Sequence, residues 1–120
     1  MPDCSPEVKN FKEMSDRLAT LMEYLEESPG DAFLLFAIAQ EHLRKEDDAE
    51  AKRYFLQLKQ EHPEYVGLYY HLGLLELKHG DALSARNTFR EGMDIALKAG
   101  DQHAWVELNR ALLESGEDEI

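Results

Sequence analysis

The sequence predicts an all-α protein of about six helices, and three observations predict it. Glycine and proline divide the 120 residues into segments of about 14 to 24 residues. Each segment carries apolar residues at three- and four-residue spacing, and none shows the strict alternation of a strand. The chain also matches itself at a 34-residue offset, with Leu34 falling on Leu68, Leu43 on Leu77, Ala51 on Ala85 and Phe55 on Phe89.

The breaks come first. Ser28-Pro29-Gly30-Asp31 and His62-Pro63-Glu64 each hold a proline that no preceding helix can run through. Gly80-Asp81 and Gly100-Asp101 read as a helix end followed by a new N-cap, and Asp47-Asp48 as a turn and helix start. The leading segment, 6–27, repeats Val8, Phe11, Met14, Leu18, Leu21, Met22 and Leu25 as one apolar stripe, with Pro6 in its first turn. Segments 32–45 and 48–61 form one pair, and 66–79 and 82–98 a second. Their short links predict antiparallel neighbours. A last helix, 102–115, carries Trp105, Val106, Leu108, Leu112 and Leu113, and residues 116–120 form an acidic tail.

The repeat places particular residue types in register. Ala39 and Gly73 are small where two helices of a pair must approach, and Ala51 and Ala85 are small on the second helix. Phe55 and Phe89 are expected to fill the space that those small residues leave. Pro29 and Pro63 close successive units. One helix pair cannot bury both of its faces, whereas stacked pairs can.

A 34-residue helix–turn–helix with this order of large, small, small, aromatic and proline resembles the tetratricopeptide-repeat (TPR) family. In the first unit, Leu35, Ile38, Ala39, Ala51, Phe55, Leu58 and Pro63 match the family pattern; in the second, Tyr69, Leu72, Gly73, Gly80, Ala85 and Phe89 do. His42 and Glu76 stand where the family has a large aromatic or apolar residue. Gly92 and Leu97 replace its small residue and proline, so the second helix of that unit is expected to run on, loosened or bent at Gly92. The resemblance implies a right-handed α-solenoid in one domain, 1–120: a leading helix (6–27), repeats 32–65 and 66–99, a capping helix (102–115) and the tail.

What the resemblance implies about function is a concave groove lined by first helices, binding a peptide or a partner helix. Carried onto this sequence, that groove is Phe33, Phe36, Gln40, Leu43 and Arg44, then Tyr70, His71, Leu74 and Lys78, with His103, Val106 and Arg110 aligned less closely. An exposed strip of Phe36, Tyr70 and Leu74 would be an apolar patch of the kind that marks an interaction site. The alternative is homodimerisation through the same surface. One subtype of the family grips a C-terminal carboxylate with lysines and asparagines. Phe36, Gln40 and Tyr70 stand at those positions, so no such clamp is expected. Arg44 and Lys78 are candidates to grip an acidic group of a partner, but they lie one repeat apart, and the favoured reading is that they are solvated.

Composition narrows the remaining classes. The formal net charge is −12. Residues 1–31 hold eight acids against three bases, and residues 101–120 six against one, so the acidity sits mostly at the ends. No basic patch is visible to neutralise phosphates, which argues against nucleic acid. No apolar run is long enough for a membrane span, and no signal-peptide stretch precedes Cys4, so a cytoplasmic protein is expected. His42, His62, His71, His79 and His103 show no metal-ligand spacing. The serines read as caps and turns, no phosphate loop occurs, and Cys4 has no activating partner. The expectation is a protein-binding module without catalytic residues, cofactor or metal.

Overall fold

The computed structural model describes residues 16–116, and all regular structure there is α-helix. Six helices follow in order: α1 (Asp16–Glu27), α2 (Ala32–Arg44), α3 (Asp48–Glu61), α4 (Gly67–Lys78), α5 (Ala82–Ala99) and α6 (Gln102–Glu114). Cys4, Ser5, Pro6, Val8, Phe11, Met14 and Ser15, and residues 117–120 of the acidic tail, lie outside the described residues.

One device makes three of the links. The N–H groups of Glu46, Gly80 and Gly100 donate to the carbonyls of Leu43, Leu77 and Leu97. The next residue, Asp47, Asp81 or Asp101, donates its own N–H back to His42, Glu76 or Ala96. Each link therefore satisfies carbonyls that a helix end would leave open. The same aspartate then starts the following helix. Its carboxylate accepts the backbone N–H of Glu50 at 3.3 Å, Ser84 at 3.1 Å or Ala104 at 3.0 Å. Asp31 caps α2 in the same way, accepting from Leu34 at 3.0 Å. This double use of one residue explains why the links need only two or three residues.

The closing geometry needs a left-handed residue, with φ 85° at Gly80, 74° at Gly100 and 62° at Glu46. Glu46 is the only non-glycine with positive φ among the described residues. A side chain there costs about 1 kcal/mol that glycine avoids. Glu46→Gly is therefore expected to stabilise the protein by roughly 0.5–1 kcal/mol, partly offset by the greater freedom of glycine in the unfolded chain. A rise in the urea midpoint at constant slope checks it.

The chain divides into two compact units, residues 1–54 and 55–120, with the boundary inside α3. In the first, α1 packs on α2, burying Leu18 and Leu21 of one and Leu34, Leu35, Ala37, Ile38 and Ala39 of the other. In the second, α4 packs on α5, and both pack on α6. Its fully enclosed side chains include Phe55, Leu58, Leu68, Tyr69, Leu72, Phe89 and Leu108.

The small residues of the second unit set its helix spacings. A Cβ on Gly73 would run into the Phe89 ring, so that ring fills the space glycine leaves, as the repeat predicts. Gly92 has a packing role that spacing alone does not show. α5 runs as helix from Ala82 to Ala99 through Gly92. A Cβ on Gly92 would stand 2.5 Å from the Tyr69 Cβ and 3.0 Å from a Leu108 methyl. Glycine lets α4, α5 and α6 converge at one level. The expected run-on past Leu97 is present, with 18 residues in α5 against 14 in α3. Tyr69, buried at that convergence, donates its hydroxyl to the Pro63 carbonyl at 2.5 Å. Burial, followed by the charges of Glu91 and Glu64, pushes its hydroxyl up to about 12, so it remains a neutral donor.

His42 and Glu76 are buried, and the structure shows what replaces a large aromatic there. His42 stacks on Tyr54, with ring centroids 5.6 Å apart and planes at 14°. Its Nδ1 lies 3.9 Å from an Asp47 carboxylate oxygen. Glu76 accepts a hydrogen bond from the Thr88 hydroxyl at 2.7 Å. Tyr54 and Thr88 are themselves 34 residues apart. One pair of positions thus joins first helix to second in both repeats, by ring stacking in one and by a buried hydrogen bond in the other.

Candidate partner-binding faces

On α2, the spacing of Phe33, Phe36, Gln40, Leu43 and Arg44 puts them along one stripe. Phe33 is 61% exposed, and Phe36, Gln40 and Leu43 are half-buried. Beside them, a cavity of about 490 Å³ is lined by Arg17, Ala37, Gln40, Glu41, Leu43 and Arg44. Glu41 is buried, yet its Oε2 lies 3.1 Å from the Arg17 Nε and 3.8 Å from the Arg44 Nε. Sequence reasoning missed this convergence. Arg17 sits on another helix, and nothing local marks Glu41 as buried.

On α4, Tyr70, His71, Leu74 and Lys78 share a second stripe. Tyr70 and His71 are half-buried, Leu74 is 38% exposed and Lys78 is exposed. The His71 ring lies parallel to Phe55, with centroids 6.0 Å apart and planes at 4°, while Tyr70 meets it edge-on at 5.5 Å. His103, Val106 and Arg110 of α6 are exposed, and the His103 Nε2 lies 3.5 Å from Glu107.

Burial holds His71 below the ordinary histidine range, although Glu107 pulls the other way. The sign of the consequence follows. The folded state binds the proton less readily than the unfolded chain, so His71 contributes its full stability above about pH 6.5 and loses it as the pH falls. Going from pH 7.5 to pH 5.5 is expected to destabilise the protein more than it does a His71→Gln variant. Paired urea titrations at the two pH values check this.

A further cavity of about 430 Å³ lies at the α5–α6 turn, lined by Ala96, Leu97, Gly100, Asp101, Gln102 and Trp105. Among the described residues, no three histidine, cysteine or acidic side chains converge as a metal site would require. No helix among them is long and apolar enough to cross a membrane.

Helix pairs repeating at 34 residues, joined by links that end in a capping aspartate, with Gly73 packed against Phe89 in the second, define a helical-repeat protein. The solved structures agree. A tetratricopeptide repeat domain protein of Salinibacter ruber, known from a crystal structure, is 36% identical over 72% of this chain and 97% of its own, with a TM-score of 0.70. A solution structure of a tetratricopeptide repeat domain protein from the same organism gives 37% identity over 72% and 88%, with a TM-score of 0.69. A Bordetella parapertussis protein shares the fold at a TM-score of 0.75 over 88% of this chain and 91% of its own, with 21% identity. No family model and no curated protein sequence matches the chain. On the Salinibacter likeness, this chain belongs to the tetratricopeptide-repeat family.

Proposed function

We propose that the protein is a non-catalytic interaction module that docks a peptide or helix of a partner protein on the first-helix faces of its repeats. The supporting observation is large apolar side chains left in solvent at the positions the family uses. Phe33 on α2 and Leu74 on α4 are exposed, with Phe36 and Tyr70 half-exposed on the same stripes. Folding does not bury these side chains, and a partner removes their apolar area from water. Gln40, Leu43, Arg44, His71 and Lys78 supply the polar and basic border.

Two charge substitutions on exposed residues test this reading. Phe33→Glu and Leu74→Glu should leave the helical circular-dichroism spectrum unchanged and abolish capture of the partner recovered with the native chain. Unchanged capture by both variants would refute it. Light scattering addresses the rival reading, self-association through the same faces. A dimer that both variants dissociate would replace the peptide-docking proposal.

A further inference from the structure

One repeat on, the residue types that line the cavity beside α2 change. Counting one repeat on from Glu41 gives Leu75, a buried packing residue of α4. Counting on from Arg17 gives Ala51, which is also buried. At that position the second unit meets its packing need with leucine, so the first has no packing need for a carboxylate. A buried carboxylate costs several kcal/mol unless it is paired. Glu41 is paired, and on an unusual pattern. Its side chain is only 5% exposed, while those of the two arginines it holds are 64% and 70% exposed.

Both arginines approach the same Oε2 through Nε. Each guanidinium carries five N–H donors in a rigid fork. Ion pairing at 3.1 Å for Arg17 and 3.8 Å for Arg44 keeps both guanidiniums beside the pocket. Two positive charges against one negative leave this pocket with a formal charge of about +1, on a chain whose formal net charge is −12. Ala37 and Leu43 contribute apolar wall. The remaining acidity does not forbid an anion. Exposed charges are screened beyond about 8 Å at physiological salt, and charge-assisted hydrogen bonds act at about 3 Å.

We infer that the Arg17–Glu41–Arg44 pocket receives an aspartate or glutamate side-chain carboxylate of an acidic partner segment. Glu41 is the positioning residue for the two guanidiniums. The inference rests on the reading that the α2 face docks a protein, and it names the chemistry of one contact. It also changes the reading of Arg44. In sequence its companion for an acidic group is Lys78, one repeat away; in the fold it shares Glu41 with Arg17.

The test is an NMR titration of the full chain with two capped pentapeptides, acetyl-Leu-Glu-Leu-Glu-Leu-amide and its glutamine analogue. The glutamate peptide should shift the Arg17 and Arg44 Nε signals in a saturable manner. It should bind roughly tenfold more tightly than the glutamine peptide, the scale of one charge-assisted contact. Arg17→Gln and Arg44→Gln should each remove most of that difference, and Arg44→Lys should retain only part of it. Glu41→Gln separates positioning from simple charge. It removes a negative charge from the pocket yet should weaken binding severalfold, and tighter binding would overturn the positioning role. Equal titrations by the two peptides would overturn the carboxylate site. If those equal titrations shift the signals of Phe33 and Leu74, the docking proposal survives without it. A phosphoserine analogue binding more than tenfold tighter than the glutamate peptide would overturn the choice of carboxylate.

Discussion

Phe89→Ala is expected to destabilise the protein by about 3–5 kcal/mol, the cost of truncating an enclosed phenylalanine. That is a large part of the stability of a domain this size, which is on the order of 5–15 kcal/mol. The upper half of the range is expected because the ring lies against Gly73, which has no side chain to move into the vacated space. A second substitution provides an internal control. In the native background, Gly73→Ala should destabilise, because its Cβ meets the Phe89 ring. In the Phe89→Ala background, the ring is gone, and the same change should stabilise by about 1 kcal/mol through the helix preference of alanine over glycine. A double-mutant cycle by urea denaturation measures this reversal of sign. Additive effects would mean that Gly73 and Phe89 do not share one space.

Thr88→Val is expected to cost about 1.5–3 kcal/mol, because it leaves the buried Glu76 carboxylate without the hydroxyl that donates to it. Replacing both partners should behave differently. The Glu76→Leu/Thr88→Val protein should be about as stable as the native one, or more stable, since two apolar groups of similar size replace a buried polar pair. Thermal unfolding of the three variants decides this. If the double variant is as unstable as the single one, the hydrogen bond is not the reason for the loss.

These two predictions differ in how far they were legible beforehand. Gly73 and Phe89 could be read from the repeat, because a small residue and an aromatic recurring with one period report a packing solution used twice. His42 and Glu76 could be read only as departures from a pattern. Nothing local in the sequence marks their partners, Tyr54 and Thr88, since each pair is related by tertiary contact and each repeat solves it with different chemistry. In the sequence Gly92 reads as a point where the helix loosens or bends, because glycine lowers helix preference wherever it stands. Its actual surroundings, Tyr69 and Leu108, come from two other helices. The expected groove residues present a similar division. Their place on two helix stripes follows from spacing alone, whereas the exposure of Phe33 and the burial of His71 against Phe55 depend on what packs around them.

The sequence by itself determined the all-α class, the order of the six helices and the family. Those features rest on local physics: apolar residues at helical spacing, aspartates that cap, glycines that allow positive φ, and a period that repeats all three. Only the tertiary structure decided that Gly92 seats three helices and that Glu41 lies buried holding two arginines. The physical reason is that burial belongs to a residue's surroundings rather than to its type. Glu41 and Leu75 occupy equivalent positions and are both enclosed. One extends the core and the other holds a charge, and the difference comes from Arg17 on a neighbouring helix.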